Sequence, residues 1–431
     1  MSLEFSTIAL NDIVSLVIDY RGKTPKKLGA DWSESGIRAL SAKNIKTGQI
    51  IREDAIRYVD LELYNKWMKD EIKRNDILIT SEAPFGEVFF WDSDEKIVLS
   101  QRLFGIRCDE NKVDPKFIYF YMTSKMFQWE LQSRATGTTV KGLRQPELLK
   151  CEIKLPNRDN QRKISYVLSN IETKINILKK LNKNLEDQLS LIFDDYFVKC
   201  SAHDEDSLVK TDWGKIPPEW KNIDFGDLIQ ITSGDRPDEK SETKTKEFNI
   251  PLFGASKIMG YTKEFSYDED ILIIGRVGTH GIVQRVNYPC FPSDNTFVIK
   301  SNYYGLVYQL LKRIDYDSLN TGSTQPLITQ KSLKTVNVVL PDENTLSRFE
   351  KISKIYFDNM YNNQKEITSL TKLRDTLLPK LMSGEIDVSK INCDLFILLN
   401  KSYKKIGIKV VETILSKLGI KCNIKSLSIK I

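Results

Sequence analysis

Histidine is almost missing from this chain of 431 residues. His203 and His280 stand far apart with no partner at ligand spacing, so no metal site is expected. Cysteine is sparse too. The six thiols, at 108, 151, 200, 290, 393 and 422, contain no CxxC pair, which argues against a zinc or disulfide framework and for reduced thiols in a cytoplasmic protein. Long apolar runs are absent: "ILII" (Ile271–Ile274) and "LFILL" (Leu395–Leu399) fall far short of the ~18 residues of a membrane span. No basic n-region surrounds Glu4, so neither a secretory signal nor a membrane association is expected.

An excess of one charge is also missing from most of the chain. The net charge is +6, but Asn392–Ile431 holds eight Lys and two acidic residues, which leaves residues 1–391 neutral with 56 basic and 56 acidic side chains. A nucleic-acid partner therefore has to be argued from local basic clusters. With 41% apolar and 28% charged residues the composition is that of a folded chain, long enough for two or three domains.

What is present is a repetition. "TGTTVKGLRQPELLKCEIKLP" (Thr136–Pro156) and "TGSTQPLITQKSLKTVNVVLP" (Thr321–Pro341) share seven identical positions at an offset of 185 residues. Upstream, "NDILITSEAPFGEVFF" (Asn75–Phe90) and "EDILIIGRVGTHGIV" (Glu269–Val283) both read as strand, turn, strand. Each precedes a further strand pattern, "SQRLFGIRC" (Ser100–Cys108) or "SDNTFVIKS" (Ser293–Ser301), and then a short helix pattern, Pro115–Phe127 or Tyr303–Ile314. Short strands, polar turns and few helices in each half predict an α+β fold with two globular α/β domains.

After each shared line the period changes. Ile164, Leu168, Ile171, Ile175, Leu178, Asn182, Leu185, Leu189, Ile192 and Tyr196 recur at 4-3-4-3 spacing, which predicts a long helix over about 159–197 with a coiled-coil seam. The same offset gives Phe349, Ser353, Tyr356, Met360, Asn363, Ile367, Leu370, Arg374, Leu377 and Leu381. Pro379 is expected to kink or end this second helix near Leu378, and "DENT" (Asp342–Thr345) to cap its start. Repeated domain-plus-helix units related by a pseudo-two-fold would set the helices antiparallel, with Asn182 fixing their register.

With its motifs in this order, the chain resembles the specificity subunits of type I restriction-modification systems. The resemblance rests on the two shared lines and the helices after them, on "GKIPPEW" (Gly214–Trp220), on "DILIIGRVGTHG" (Asp270–Gly281) and on "LLPKLMSGEIDV" (Leu377–Val388). It implies two target-recognition domains (1–155 and 223–340), each reading half of a bipartite double-stranded DNA target. Two long antiparallel helices (156–200 and 341–390) would form a coiled coil that sets the spacing and docks two methyltransferase subunits. A linker (201–222) and a basic tail (391–431) complete the chain, and restriction (motor and nuclease) subunits join in the full complex. The family's glutamine early in the helix is present as Gln161, whereas Leu346 stands in the second copy.

No catalysis is expected of the chain itself. The Asn/Asp-Pro-Pro-aromatic tetrapeptide of an adenine methyltransferase is missing, the one Pro-Pro being Pro217-Pro218. "RPDEKSETK" (Arg236–Lys244) crowds a nuclease-like Pro-Asp and Glu-x-Lys too closely for separate strands and reads as a solvated loop. No cofactor is therefore expected here; S-adenosylmethionine, ATP and Mg²⁺ fall to partner subunits. DNA reading needs exposed donors and acceptors. The first domain offers Arg21, Lys23, Lys26, Lys43, Arg102, Arg134, Thr136, Thr138, Thr139 and Lys141. The second offers Arg236, Lys257, Arg276, Thr279, His280, Thr321, Ser323, Thr324 and Gln325. Singly, each is an ordinary surface residue; the clusters carry the expectation. The alternative is a coiled-coil adaptor that reads no DNA, and the divergence of the loops between otherwise similar halves argues against it.

Overall fold

The computed structural model describes residues 4–137, 141–211, 214–322 and 326–389. The described chain is α+β and divides into two compact units, one of Met1–Leu178 with Lys365–Ile431 and one of Lys179–Gln364. Residues 390–431, and so the basic tail, lie outside the described residues.

Unit one has seven principal strands: β1 (Val14–Asp19), β2 (Ile37–Leu40), β3 (Arg57–Val59), β4 (Ile77–Thr80), β5 (Val88–Phe90), β6 (Ile97–Leu99) and β7 (Leu103–Cys108). They form an antiparallel sheet of order β1-β7-β4-β5 and a second sheet of order β3-β2-β6, in which β2 and β6 run parallel. β4 shows why a wholly apolar run is a strand here. Alternate side chains leave opposite faces, so Ile77 and Ile79 enter one core while Leu78 enters another. The first core is roofed by α1 (Pro115–Thr123) and bordered by α2 (Lys125–Ser133). The helix expected over Pro115–Phe127 is thus two, because Ser124 leaves the helical conformation and its Oγ accepts from Phe127 N to cap α2.

The long helix α3 (Arg158–Phe193) follows and belongs to unit one as far as Leu178. Gln161 secures its start: its Oε1 accepts from Asp114 N (3.0 Å) and its Nε2 donates to Pro156 O (2.9 Å), while Asp114 caps α1 through Phe117 N.

Unit two repeats the plan with β8 (Gln230–Ser233), β9 (Ile250–Phe253), β10 (Ile258–Thr262), β11 (Ile271–Gly275), β12 (Gln284–Val286), β13 (Phe291–Pro292) and β14 (Thr296–Lys300). The sheet orders are β8-β14-β11-β12 and β10-β9-β13, with β9 and β13 parallel. α4 (Tyr304–Leu311) matches α1, but Tyr303 gives it no side-chain cap. Glu350 of the second long helix, α5 (Glu343–Ser383), accepts from Gly305 N and Leu306 N instead, both at 2.9 Å. Burial raises the Glu350 pKa, and those two N–H donors work against the rise. The approach is so close that a Cβ on Gly305 would overlap Ser353 of α5. Leu346, at the place of Gln161, is buried at 2% exposure.

Within each unit α3 and α5 run antiparallel. In unit one Ile171, Ile175 and Leu178 pack with Ile367 and Leu370, flanked by Lys174–Glu366 and Glu172–Arg374 ion pairs. Ile164 and Leu168 share the unit-one core with Leu377 and Leu381. In unit two Leu185 and Leu189 are buried, as are Phe349, Tyr356 and Met360. Ile192 departs from the expected seam: it is half-buried, and Phe193 takes the inner position against Phe349 at 5.9 Å. A helical period of 3.6 drifts from a 3.5 repeat, and a π-helical turn follows at Asp194–Val198.

Of the two outcomes expected at Pro379, an end near Leu378 does not occur. α5 continues through Pro379 to Ser383. Near a C-terminus proline forfeits one hydrogen bond, which the burial of Leu381 and Met382 offsets. The linker 201–222 carries structure among its described residues: Val209–Thr211 pairs with Gly214–Ile216, and Ile216 and Trp220 cluster with Cys200 and Phe197.

The polar layer of unit two is paired. Asn363 Nδ2 donates to Asn182 Oδ1 (2.8 Å) and Asn182 Nδ2 to Met360 O (3.1 Å). Asn182→Leu alone strands the Asn363 amide, at a cost of about 1–3 kcal/mol. Thermal midpoints should therefore fall for either single Asn→Leu variant and recover in the double variant. Additive losses would mean that the pair is not coupled.

Candidate nucleic-acid interface

Most of the candidate residues hang from one end of each four-stranded sheet. In unit one Arg21 and Lys23 follow β1, Lys43 follows β2 and Arg102 precedes β7. The loop after α2 is laced to the same end: Thr136 and Gly142 exchange backbone hydrogen bonds (2.9 and 2.8 Å), and Leu143 N donates to Ser81 O (2.9 Å) just beyond β4. Unit two is built alike. Arg236 follows β8, Lys257 follows β9, and Arg276, Thr279 and His280 follow β11. Thr321 N donates to Leu327 O and Ile328 N to Arg276 O, both at 2.9 Å. The loop partners are displaced by 185 residues and the strand-end acceptors, Ser81 and Arg276, by 195; in unit two the return bond of Leu327 N goes to Asn320 Oδ1 (2.9 Å) instead of the Thr321 carbonyl. The shared sequence line is therefore a backbone device that presents a loop at the sheet end. Thr138, Thr139, Ser323, Thr324 and Gln325 lie outside the described residues.

The side chains differ in how far the protein already uses them. Arg21 makes a two-point ion pair with Asp19 (2.8 and 2.9 Å), donates to Leu143 O (3.2 Å) and stacks 3.9 Å over Phe104. It is an internal tie. The sequence carried a signal for this, since residues i and i+2 at a strand end share a face. Lys23 donates to Trp67 O (2.7 Å), and burial lowers its pKa below the usual lysine value. Arg134 is held by Glu130 and Glu147. Arg102 pairs with Glu82 at 3.3 Å yet stays half-exposed, at φ +63°, a left-handed conformation that costs a non-glycine residue about 1–2 kcal/mol. Lys26, Lys43 and Lys141 are exposed, with no side-chain partner among the described residues. Asp19, Glu82, Gln101 and Arg102 help to line an open depression of about 650 Å³, a mix of donors and acceptors suited to base edges. Glu82 and Gln101 were not singled out from sequence, because only folding brings them beside Arg21.

In unit two Arg236 is exposed and pairs with Asp294 (3.0 Å), within a loop whose charges face water. His280 Nε2 lies 3.3 Å from Arg276 O, and its ring rests against Tyr316. Lys257 and Thr279 are exposed. The other histidine stands near Glu219 and Asp342, with ligand atoms within 4.8 Å of one another. Asp342 is engaged as the cap of α5: it accepts from Asn344 N, Thr345 N, Thr345 Oγ1 and Trp220 Nε1. Burial pushes the thiols of Cys108, Cys151 and Cys290 up to about 12, far from the thiolate a nucleophile needs.

Comparison with known proteins agrees with this geometry. A family model described as a type I restriction modification DNA specificity domain matches twice, over residues 3–187 and 217–373. The type I restriction enzyme MjaIX specificity subunit of Methanocaldococcus jannaschii is 26% identical, over 79% of this chain and 82% of its own. The MjaVIII specificity subunit of the same organism is 22% identical, over 90% and 94%. Among solved structures, the S subunit of a type I restriction-modification system from M. genitalium superposes with a TM-score of 0.53 at 20% identity, covering 88% of this chain and 96% of that one.

Proposed function

The chain belongs to the type I restriction-modification DNA specificity family, and from that membership we propose that each unit reads one half of a bipartite DNA sequence through the loops at its sheet end. The observation that carries the proposal is one backbone lacing, Thr136/Gly142/Leu143/Ser81 and Thr321/Leu327/Ile328/Arg276, dressed with different side chains in the two units. Similar scaffolds carrying divergent sequences suit two readers of two different half-sites. An adaptor that only assembles proteins gives no reason for the divergence.

The long helices fix the distance between the readers and offer the surface on which two methyltransferase subunits dock. Methyl transfer, and cleavage where it occurs, then belong to those partners and to restriction subunits, together with S-adenosylmethionine, ATP and Mg²⁺. Lys26, Lys43, Lys141 and Lys257 serve the phosphates, a contact that any cation can make and that weakens with salt.

The test is to assemble the chain with its modification subunits and map the methylated adenines. A sequence in two specified parts separated by a fixed unspecified gap is expected. The chain alone should transfer no methyl group and cut no DNA with S-adenosylmethionine or Mg²⁺ added. An uninterrupted motif, or activity without partners, would overturn the reading.

A further inference from the structure

The strand registers align the two units residue by residue. Phe104 on β7 faces Asp19 and Ile79, and Phe297 on β14 faces Ser233 and Ile274. Phe104 thus corresponds to Phe297, Asp19 to Ser233 and Ser81 to Arg276. Both phenyl rings carry a guanidinium, but from different strands: Arg21 lies 3.9 Å above Phe104 and Arg276 lies 5.7 Å above Phe297. In unit one Asp19 neutralises the arginine. In unit two that place is taken by Ser233, whose Oγ accepts from Gln330 Nε2 (3.3 Å). Arg276 has no carboxylate partner among the described residues, and its Nε is buried without a hydrogen bond.

The backbone of Arg276 is fixed. Its N donates to Asn295 O (3.0 Å), and its carbonyl accepts from Ile328 N (2.9 Å) and lies 3.3 Å from His280 Nε2. The preceding residue has to be glycine, because a Cβ on Gly275 would overlap the Thr279 carbonyl oxygen and lie 2.7 Å from Ala255 Cβ. The turns carrying Thr279 and Lys257 are thereby drawn against the root of Arg276. With Nε buried and the guanidinium over Phe297, the two terminal nitrogens are left as the donors of a planar fork.

We propose that Arg276 reads a guanine in the half-site bound by unit two. A rigid guanidinium edge offers two parallel N–H donors, and in the major groove guanine alone presents two adjacent acceptors, O6 and N7. A phosphate would also accept such a fork, but the exposed Lys257 and Thr279 beside it serve that purpose without a built-in aim. Unit one has no equivalent reader, since its stacked arginine is spent on Asp19 and Leu143. This inference rests on the DNA-reading function proposed above.

The experiment compares wild type, Arg276→Lys and Arg276→Ala in the assembled complex, mapping the methylated sequences and measuring duplex affinity across a salt series. Lysine keeps the charge and loses the fork, so it separates the two contacts. The expected result is that one specified guanine becomes degenerate in one half-site of both variants, with cognate affinity down about 10–100-fold. The other half-site, and the salt slope of Arg276→Lys, should be unchanged. An unchanged motif, or a loss uniform over all sequences that Arg276→Lys rescues, would assign Arg276 to a phosphate or to no contact and overturn the inference. If Arg276→Ala lowers the thermal midpoint, Arg276→Lys alone decides. A wild-type complex without a two-part motif would instead defeat the underlying function.

Discussion

Exchanging Lys221–Leu340 for the corresponding segment of a relative should replace one half of the recognised sequence and leave the other intact. These boundaries keep whole the antiparallel pair of Lys221–Asp224 with Asn337–Leu340, so both strands of the closing ladder travel together. The incoming segment also has to meet the helices that remain. Tyr308 donates to Glu186 of α3 (2.8 Å), Arg313 pairs with Asp194 (2.8 Å), and the start of α4 rests on Glu350 of α5. A relative that conserves those partners should assemble normally. Its affinity for the original target should then fall, though by less than the full gap of ~10³–10⁷-fold between specific and nonspecific DNA binding, because the other half is still read. Maps of methylated sites from both complexes check this. A change in both halves would mean that recognition is shared between the units.

One heptad inserted after Leu178 and another after Asn363 should widen the gap between half-sites without altering either. Leu178 packs with Ile367 in unit one, and Asn182 bonds Asn363 in unit two. The insertions therefore fall between two defined layers, and seven residues preserve the seam phase. Each adds ~10.5 Å of helix at 1.5 Å per residue, or about three base pairs at ~3.4 Å each. Three base pairs also turn one half-site by about 100° around the DNA, so affinity should drop even as the spacing grows. A variant that assembles and methylates at the original spacing would remove the ruler role from the helices.

Much of this was legible in the sequence wherever one physical requirement dominates. Wholly apolar runs such as Ile77–Ile79 and Ile271–Ile274 had to be strands buried on both faces, and the 4-3 spacing of Ile164 to Leu189 had to be a helix with one apolar seam. The duplication made each half a check on the other. What was not legible depends on competition between distant parts. Local propensity marks Pro379 as a stop, but the core that buries Leu381 and Met382 carries the helix past it. A polar, proline-bearing stretch looks like a linker until Ile216 and Trp220 find Cys200 and Phe197. Charge alone placed Arg21 and Arg276 in one class, and only the register showed that the first is neutralised by Asp19.

The central claim, one reader per half-site, is tested most directly by photocrosslinking from corresponding turns. Lys43, in the turn that Ala42 N ties to Gln101 O (3.1 Å), and Lys257, in the turn that Gly254 N closes onto its carbonyl (2.8 Å), are each replaced by a photoreactive residue. The assembled complex is then irradiated on its mapped target. The account predicts that position 43 labels one half-site only and position 257 the other only; labelling of the same half-site from both positions would contradict it.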